Sequence, residues 1–144
     1  MKLLKYITFS FLLASSSQLV AQQDCEKIVS ICESYLNGKN QAHKFVSDGQ
    51  VYTAFLDREK AEFKTTFYGG SVYRIAASAG TEDDFVIFSV KDPDGNVLFT
   101  NKNFKNSPYW DFKVPMTIPV TIETELDQDK KVTGCAVMLI GFKQ

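Results

Sequence analysis

From Gln50 to the end of the chain, apolar and polar side chains alternate with a period of two, and no other feature constrains the fold as tightly. The segments VYTAFL, AEFKTTFY, SVYRIAAS, FVIFSV, NVLFT, WDFKV, TIPVTIET and CAVMLIGF are short and rich in β-branched and aromatic residues. Turn-forming stretches separate them: DREK, Gly69-Gly70, AGTEDD, DPDG, NKNFKNSP, Pro115-Met116 and LDQDKKVTG. Strands at a spacing of roughly eight to twelve residues predict an all-β domain, an antiparallel two-sheet sandwich of about seven or eight strands. FVIFSV and AVMLIGF are apolar on both faces, which places them centrally or beneath a helix. Pro119 lacks a ladder donor, which points TIPVTIET to an edge or a bulge.

One helical period precedes the strands. Cys25, Ile28, Val29, Cys32 and Leu36 share one face of a helix expected over residues 24 to 37 and packed on the sandwich. Asp24 is expected to cap its first turn and Asn37-Gly38 to end it. The polar stretch GKNQAHKFVSDG then reads as a linker. Upstream, Lys2 and Lys5 begin the chain, Ile7 to Ala14 form an apolar run too short to span a bilayer, and Ala21 is a small residue at a cleavage point. That pattern predicts a secretory signal peptide over residues 1–21, a helix and linker over 22–47, and a sandwich domain over 48–144.

Without residues 1–21, the 144-residue chain keeps 123, enough for one domain with its own core. The chain has 16 basic and 17 acidic side chains; losing Lys2 and Lys5 leaves 14 basic ones and a formal charge of −3. No cluster of Lys or Arg resembles a phosphate-binding face, so nucleic acid is not an expected partner. No later apolar segment is long enough to cross a membrane. The expected location is secreted or periplasmic.

Three cysteines in an exported chain allow one intramolecular disulfide and one odd thiol. Cys25 and Cys32 are seven residues apart, a helical rise of about 10.5 Å. A disulfide tolerates Cα atoms no more than about 7 Å apart, so these two cannot pair within one helix. Cys135 is the partner left. Cys32 lies mid-face between Val29 and Leu36, whereas Cys25 falls in what should be a fraying first turn. The expected bridge is therefore Cys32–Cys135.

The succession of GGSVYRI, DPDGNVLF, an aromatic strand and a final apolar strand resembles the bacterial pre-peptidase C-terminal domain and related jelly-roll sandwiches. The resemblance spans residues 48 to 143 and is carried by Asp92, Gly95 and the strand rhythm. The closing strand, Gly134-Cys135 through Ile140-Gly141-Phe142-Lys143, is similar to that of small secreted β-sandwich proteins of the Bacteroidetes type. The resemblance implies a jelly-roll-like sandwich of the kind that accompanies secreted enzymes.

Asp92, Asp94 and Asn96 alternate as the first ligands of a calcium loop do. An EF-type loop needs Gly at position six and Glu at twelve, whereas Gly95 is fourth and Asn103 twelfth. Pro-Asp-Gly between apolar runs is instead a hairpin turn. The acidic run Glu82, Asp83, Asp84 is a second calcium candidate, read as a solvated loop. No metal and no cofactor is expected.

Alternation puts Trp110 with Phe112 and Val114 on the core face, and Tyr109 with Asp111 and Lys113 on the other. Tyr109, Phe104 and Tyr68 are the surface aromatics open to a ligand. Arg74, on the face of Val72, Ala76 and Ser78, is read as a half-buried guanidinium paired with a carboxylate such as Glu62, with an anionic ligand as the alternative. The only histidine, His43, lies in the linker, and no GxSxG, HExxH or CxxC occurs. Glu123 and Glu125 share the solvent side of one strand and read as a charged face.

The expected role is therefore non-catalytic: an exported binding or interaction module of the envelope or extracellular space, engaging a glycan or another exported protein. Its ligand loops are expected at 81–84 and 101–109. The alternatives are a small secreted hydrolase using Asp or Glu and a purely structural envelope component.

Overall fold

The computed structural model describes residues 17–38, 45–80 and 84–143. A helix, α1 (Ser17–Asn37), is followed by β1 (Val46–Ser47), β2 (Tyr52–Asp57), β3 (Lys60–Phe67), β4 (Val72–Ser78), β5 (Val86–Lys91) and β6 (Val97–Thr100). A single 3₁₀ turn (Asn101–Phe104) leads into β7 (Tyr109–Lys113), β8 (Ile118–Leu126) and β9 (Thr133–Lys143).

The pairing is nested. β2 pairs with β9, β3 with β8, β4 with β7 and β5 with β6, all antiparallel. The chain is thus one long hairpin folded at residues 92–96 and then rolled, so that successive pairs fall in alternate sheets. Further pairing of β4 with β9 and of β5 with β8 closes the orders β2-β9-β4-β7 and β3-β8-β5-β6. This is the eight-strand, two-sheet jelly roll. The two-residue β1 adds to the β9 edge.

Between the sheets lies the main core, built from Ile75, Ala77, Phe88, Val90, Ile122, Leu126, Met138 and Ile140 among others. These are every second residue of their strands, as the alternation requires. β9 is buried on both faces because α1 covers its outer side: Ile28, Cys32, Leu36 and Phe45 pack on Ala76, Cys135, Val137 and Leu139. Both doubly apolar strands are central, β5 between β8 and β6 and β9 between β2 and β4.

Several expectations need correction. The helix is described from Ser17, so Asp24 is interior to it and not its N-cap, and its first described residues, Ser17–Ala21, belong to the expected leader. Residues 1–16 lie outside the described residues. The C-terminal stop is as read: Gly38, at φ 59°, donates its N–H to the Ser34 carbonyl at 3.1 Å. The linker is anchored early, with Phe45 buried and Val46–Ser47 already paired to Phe142 and Gly141. A Cβ on Gly141 would stand 2.8 Å from Phe45 Cβ and 3.0 Å from Leu36 Cδ2, so only glycine lets the helix and the anchor close on β9. β8 is interior, not an edge; Pro119 is tolerated because it pairs with β3 alone, beyond the point where β5 ends opposite Thr121.

The disulfide joins Cys25 to Cys135, with Cα atoms 5.6 Å apart, and not Cys32 to Cys135 as expected. The way the helix lies on β9 explains this, since it sets Cys25 opposite Cys135 and Cys32 one step further along the strand. The helix runs along β9 in the same direction, bringing Cys25 to Cys135, Cys32 to Val137 and Leu36 to Gly141. Cys32 is a free, fully buried thiol that donates to the Val137 carbonyl at 3.3 Å. Burial pushes its pKa up to about 12.

Candidate functional site

The rolled hairpin sends the loops after β2, β4, β6 and β8 to one end of the sandwich and those after β3, β5 and β7 to the other. The expected ligand residues divide between the two. Tyr68 is at the second end, where its ring is exposed while its backbone N–H donates to Tyr73 Oη at 2.9 Å. The DPDG turn is there too. Asp92 Oδ1 accepts the N–H groups of Asp94 (2.9 Å) and Asn96 (2.8 Å), and its Oδ2 accepts from Asn96 Nδ2 (2.9 Å). Those hydrogen bonds, chiefly from the Asn96 side chain and backbone, hold the Asp92 carboxyl below its ordinary 3.8. Gly95, at φ 83°, completes the turn. The carboxylate that would have been the first calcium ligand is thus committed to its own hairpin.

Arg74 lies on the outer face of β4, beneath the end of the helix. Its Nε and Nη2 meet Asp111 Oδ1 and Oδ2 at 2.6 and 2.9 Å, and Nη1 donates to the Tyr35 carbonyl at 2.8 Å. Its guanidinium carbon lies 4.3 Å from the Phe45 ring centroid and 4.5 Å from that of Tyr109. The carboxylate partner is Asp111 and not Glu62, because the jelly roll places β3 and β4 in different sheets. With its side chain only 11 % exposed, Arg74 clamps helix, anchor and β7 together. One face of Tyr109 is spent in that clamp.

The first end carries the arrangement that stands out chemically. Asn101, fully buried, accepts from Phe88 N–H at 2.9 Å and donates to the Val86 and Ser107 carbonyls at 2.9 and 3.0 Å. Lys105 and Asn106 follow at φ 55° and 52°, two consecutive non-glycine residues in the left-handed region. Asn106 Nδ2 ties the turn to the Asp84 carbonyl at 3.0 Å and to Asp127 Oδ2 at 2.8 Å. Lys130 Nζ meets Asp84 Oδ2 at 2.6 Å and Asp127 Oδ2 at 3.8 Å. The bond to Asp84 holds the Lys130 ammonium above its ordinary 10.5. Three loops are therefore fastened into one polar lattice.

Two surfaces flank the 3₁₀ turn. On one side Phe104, 47 % exposed, covers Trp110 with ring centroids 4.3 Å apart, and Phe99 backs both. Trp110 faces inward and packs on the core, as alternation required. On the other side a cleft of about 550 Å³ is lined by Lys102, Lys105 and Asn106, by the end of β8 and the β8–β9 loop from Glu125 to Lys130, and by Asp84 and Ile87. That volume is within the range of small-molecule sites, and most of the lining residues carry charged or amide side chains.

Of the acidic run, Glu82 and Asp83 lie outside the described residues, and Asp84 is engaged by Lys130. His43 also lies outside them. No group of three His, Cys, Asp or Glu suited to a metal occurs among the described residues. Glu123 and Glu125 are on the outer face of β8, where Lys91 and Lys60 reach Glu123 at 2.7 and 2.9 Å. Sequence reasoning anticipated Phe104 and the 101–109 loop but missed Asn101, Asn106 and the opposing 125–130 loop. The asparagine-rich NKNFKN was the available signal, since Asn tolerates left-handed backbone. No helix among the described residues is long and apolar enough to cross a membrane. No family model matches the chain, and no curated protein matches it.

Proposed function

We propose that this protein is an exported, non-catalytic binding module, secreted or periplasmic, whose ligand is a glycan engaged at the end of the sandwich that carries the 101–109 loop. The observation that carries the proposal is the turn Asn101–Asn106, whose last two residues, Lys105 and Asn106, are held in left-handed backbone beside the buried Asn101 and Asn106 side chains. Backbone strain of this kind persists only where the surroundings over-determine it, and it clusters at ligand clamps. Here it presents an aromatic face, Phe104 on Trp110, beside a cleft of polar side chains. Stacking on an aromatic face plus fixed polar groups suits a sugar ring. The Cys25–Cys135 bridge and the basic-apolar leader support export.

Against a hydrolase, Asp84 and Asp127 are tied to Lys130 and Asn106 and so are committed to the loop lattice. The test is capture from polysaccharide and envelope fractions of the producing cell by the mature protein. Retention of polysaccharide, lost in Phe104→Ala, is expected. Capture of an exported protein alone, or release of sugar fragments during incubation, overturns the proposal.

A further inference from the structure

The two walls of the cleft carry opposite charge. Lys102 and Lys105 come from the 3₁₀ turn and its cap, and neither ammonium has a hydrogen-bond or ion-pair partner among the described residues. The facing β8–β9 loop contributes Asp129, whose carboxylate is likewise unpartnered among the described residues, and the end of β8 contributes Glu125, which is ion-paired with Lys60 at 3.7 Å. The groups between them, Asp84, Asp127, Asn106 and Lys130, are satisfied by one another. Among the described residues the cleft is therefore dipolar: Lys102 and Lys105 are free cations on one side, Asp129 is a free anion on the other, and the two carboxylates and one ammonium between them bond one another with a net charge of −1.

A ligand of one charge sign would meet repulsion from one wall. A neutral sugar would leave both walls bonded only to water. The ligand that satisfies both is a ring bearing an anionic and a cationic group on different carbons. Resting on the glycan-binding reading, we propose that the loop-end cleft takes a zwitterionic saccharide, a pyranose with both a carboxylate and a free ammonium, its carboxylate toward Lys102 and Lys105 and its ammonium toward Asp129.

Four pyranoses of similar size test this: glucose, glucosamine, glucuronate and muramic acid, which carries both a free amine and a carboxylate. Each is titrated into the mature protein at low salt while backbone amide shifts of residues 102–106 and 127–130 are followed. Muramic acid is expected to bind up to about fivefold more tightly than glucosamine or glucuronate, each of which lacks one of its two charged groups, and more tightly still than glucose, which lacks both. Lys102→Gln with Lys105→Gln should reduce muramic acid to the affinity of glucosamine, and Asp129→Asn should reduce it to that of glucuronate. All three positions are solvent-facing, and unchanged amide dispersion elsewhere verifies that the variants fold. Equal affinity for all four sugars, or tightest binding of glucuronate or of glucosamine, overturns the dipolar inference and leaves the glycan-binding module standing. No shift with any of the four overturns this inference, and if polysaccharide capture also fails, the glycan reading falls with it.

Discussion

Arg74 forks onto Asp111 across the β4–β7 pair, with Nε–Oδ1 at 2.6 Å and Nη2–Oδ2 at 2.9 Å, while the same guanidinium holds the Tyr35 carbonyl at the end of the helix. One side chain thus fastens three parts of the chain that are far apart in sequence. Arg74→Ala should cost about 2 kcal/mol, less than a fully buried pair because Asp111 is 43 % exposed. Arg74→Lys should recover less than half of that, since an ammonium cannot make the fork or fill the space between Phe45 and Tyr109. Urea denaturation measures both. Full recovery by lysine would mean that only the charge matters.

The Cys25–Cys135 bridge closes a loop of 110 residues. Replacing both cysteines by serine should cost about 4–5 kcal/mol on the chain-entropy model. In the native protein Cys32 should resist alkylation, because it is buried and its pKa stands at about 12. Denatured but unreduced protein should then present one thiol, and peptide mapping should place it at Cys32. Label on Cys25 would contradict the pairing.

Gly141 is the point where Leu36 and Phe45 settle on β9. Gly141→Ala should cost about 1–3 kcal/mol through overpacking against Phe45 Cβ, which cannot swing aside as the tip of Leu36 can. Hydrogen exchange should show faster opening of amides near Leu36 and Val46, with the β3-β8-β5 sheet unchanged. Uniform loss of protection would contradict a local effect.

Glu123 accepts hydrogen bonds from Lys91 and Lys60, which hold its carboxyl below the ordinary 4.5. A depressed carboxyl contributes stability that is complete above the unfolded-state value and disappears as pH falls through the folded one. Glu123→Gln should therefore lose about 0.5–1 kcal/mol near pH 7, a figure already discounted for solvent screening. The gap between wild type and variant should stay constant down to about pH 5 and close below about pH 4. A gap that widens in acid would contradict the sign.

The period-two alternation was sufficient to locate nearly every strand, and the turn at Asp92–Gly95 was legible because proline and glycine impose their own backbone. Topology was not legible. Nothing in the residues of β3 and β4 says that they belong to different sheets, and the error over Glu62 and Arg74 follows from that alone. The cysteine pairing depended on how the helix lies along β9, which the apolar stripe from Cys25 to Leu36 does not specify. Phe104 and Tyr109 could be picked out as exposed aromatics. The cleft could not, because it is assembled from the 101–106 and 125–130 loops, which meet only when the hairpin is rolled.

Whether the 101–109 end is the ligand surface is tested most directly by the amide-shift footprint of the mature protein mixed with polysaccharide from the producing cell's envelope. The expected perturbations cluster at residues 84–87, 101–110 and 125–130, and vanish in Phe104→Ala. Perturbations confined to the outer face of β3, β8 and β5, or to the opposite end around Tyr68 and Asp92, would contradict it.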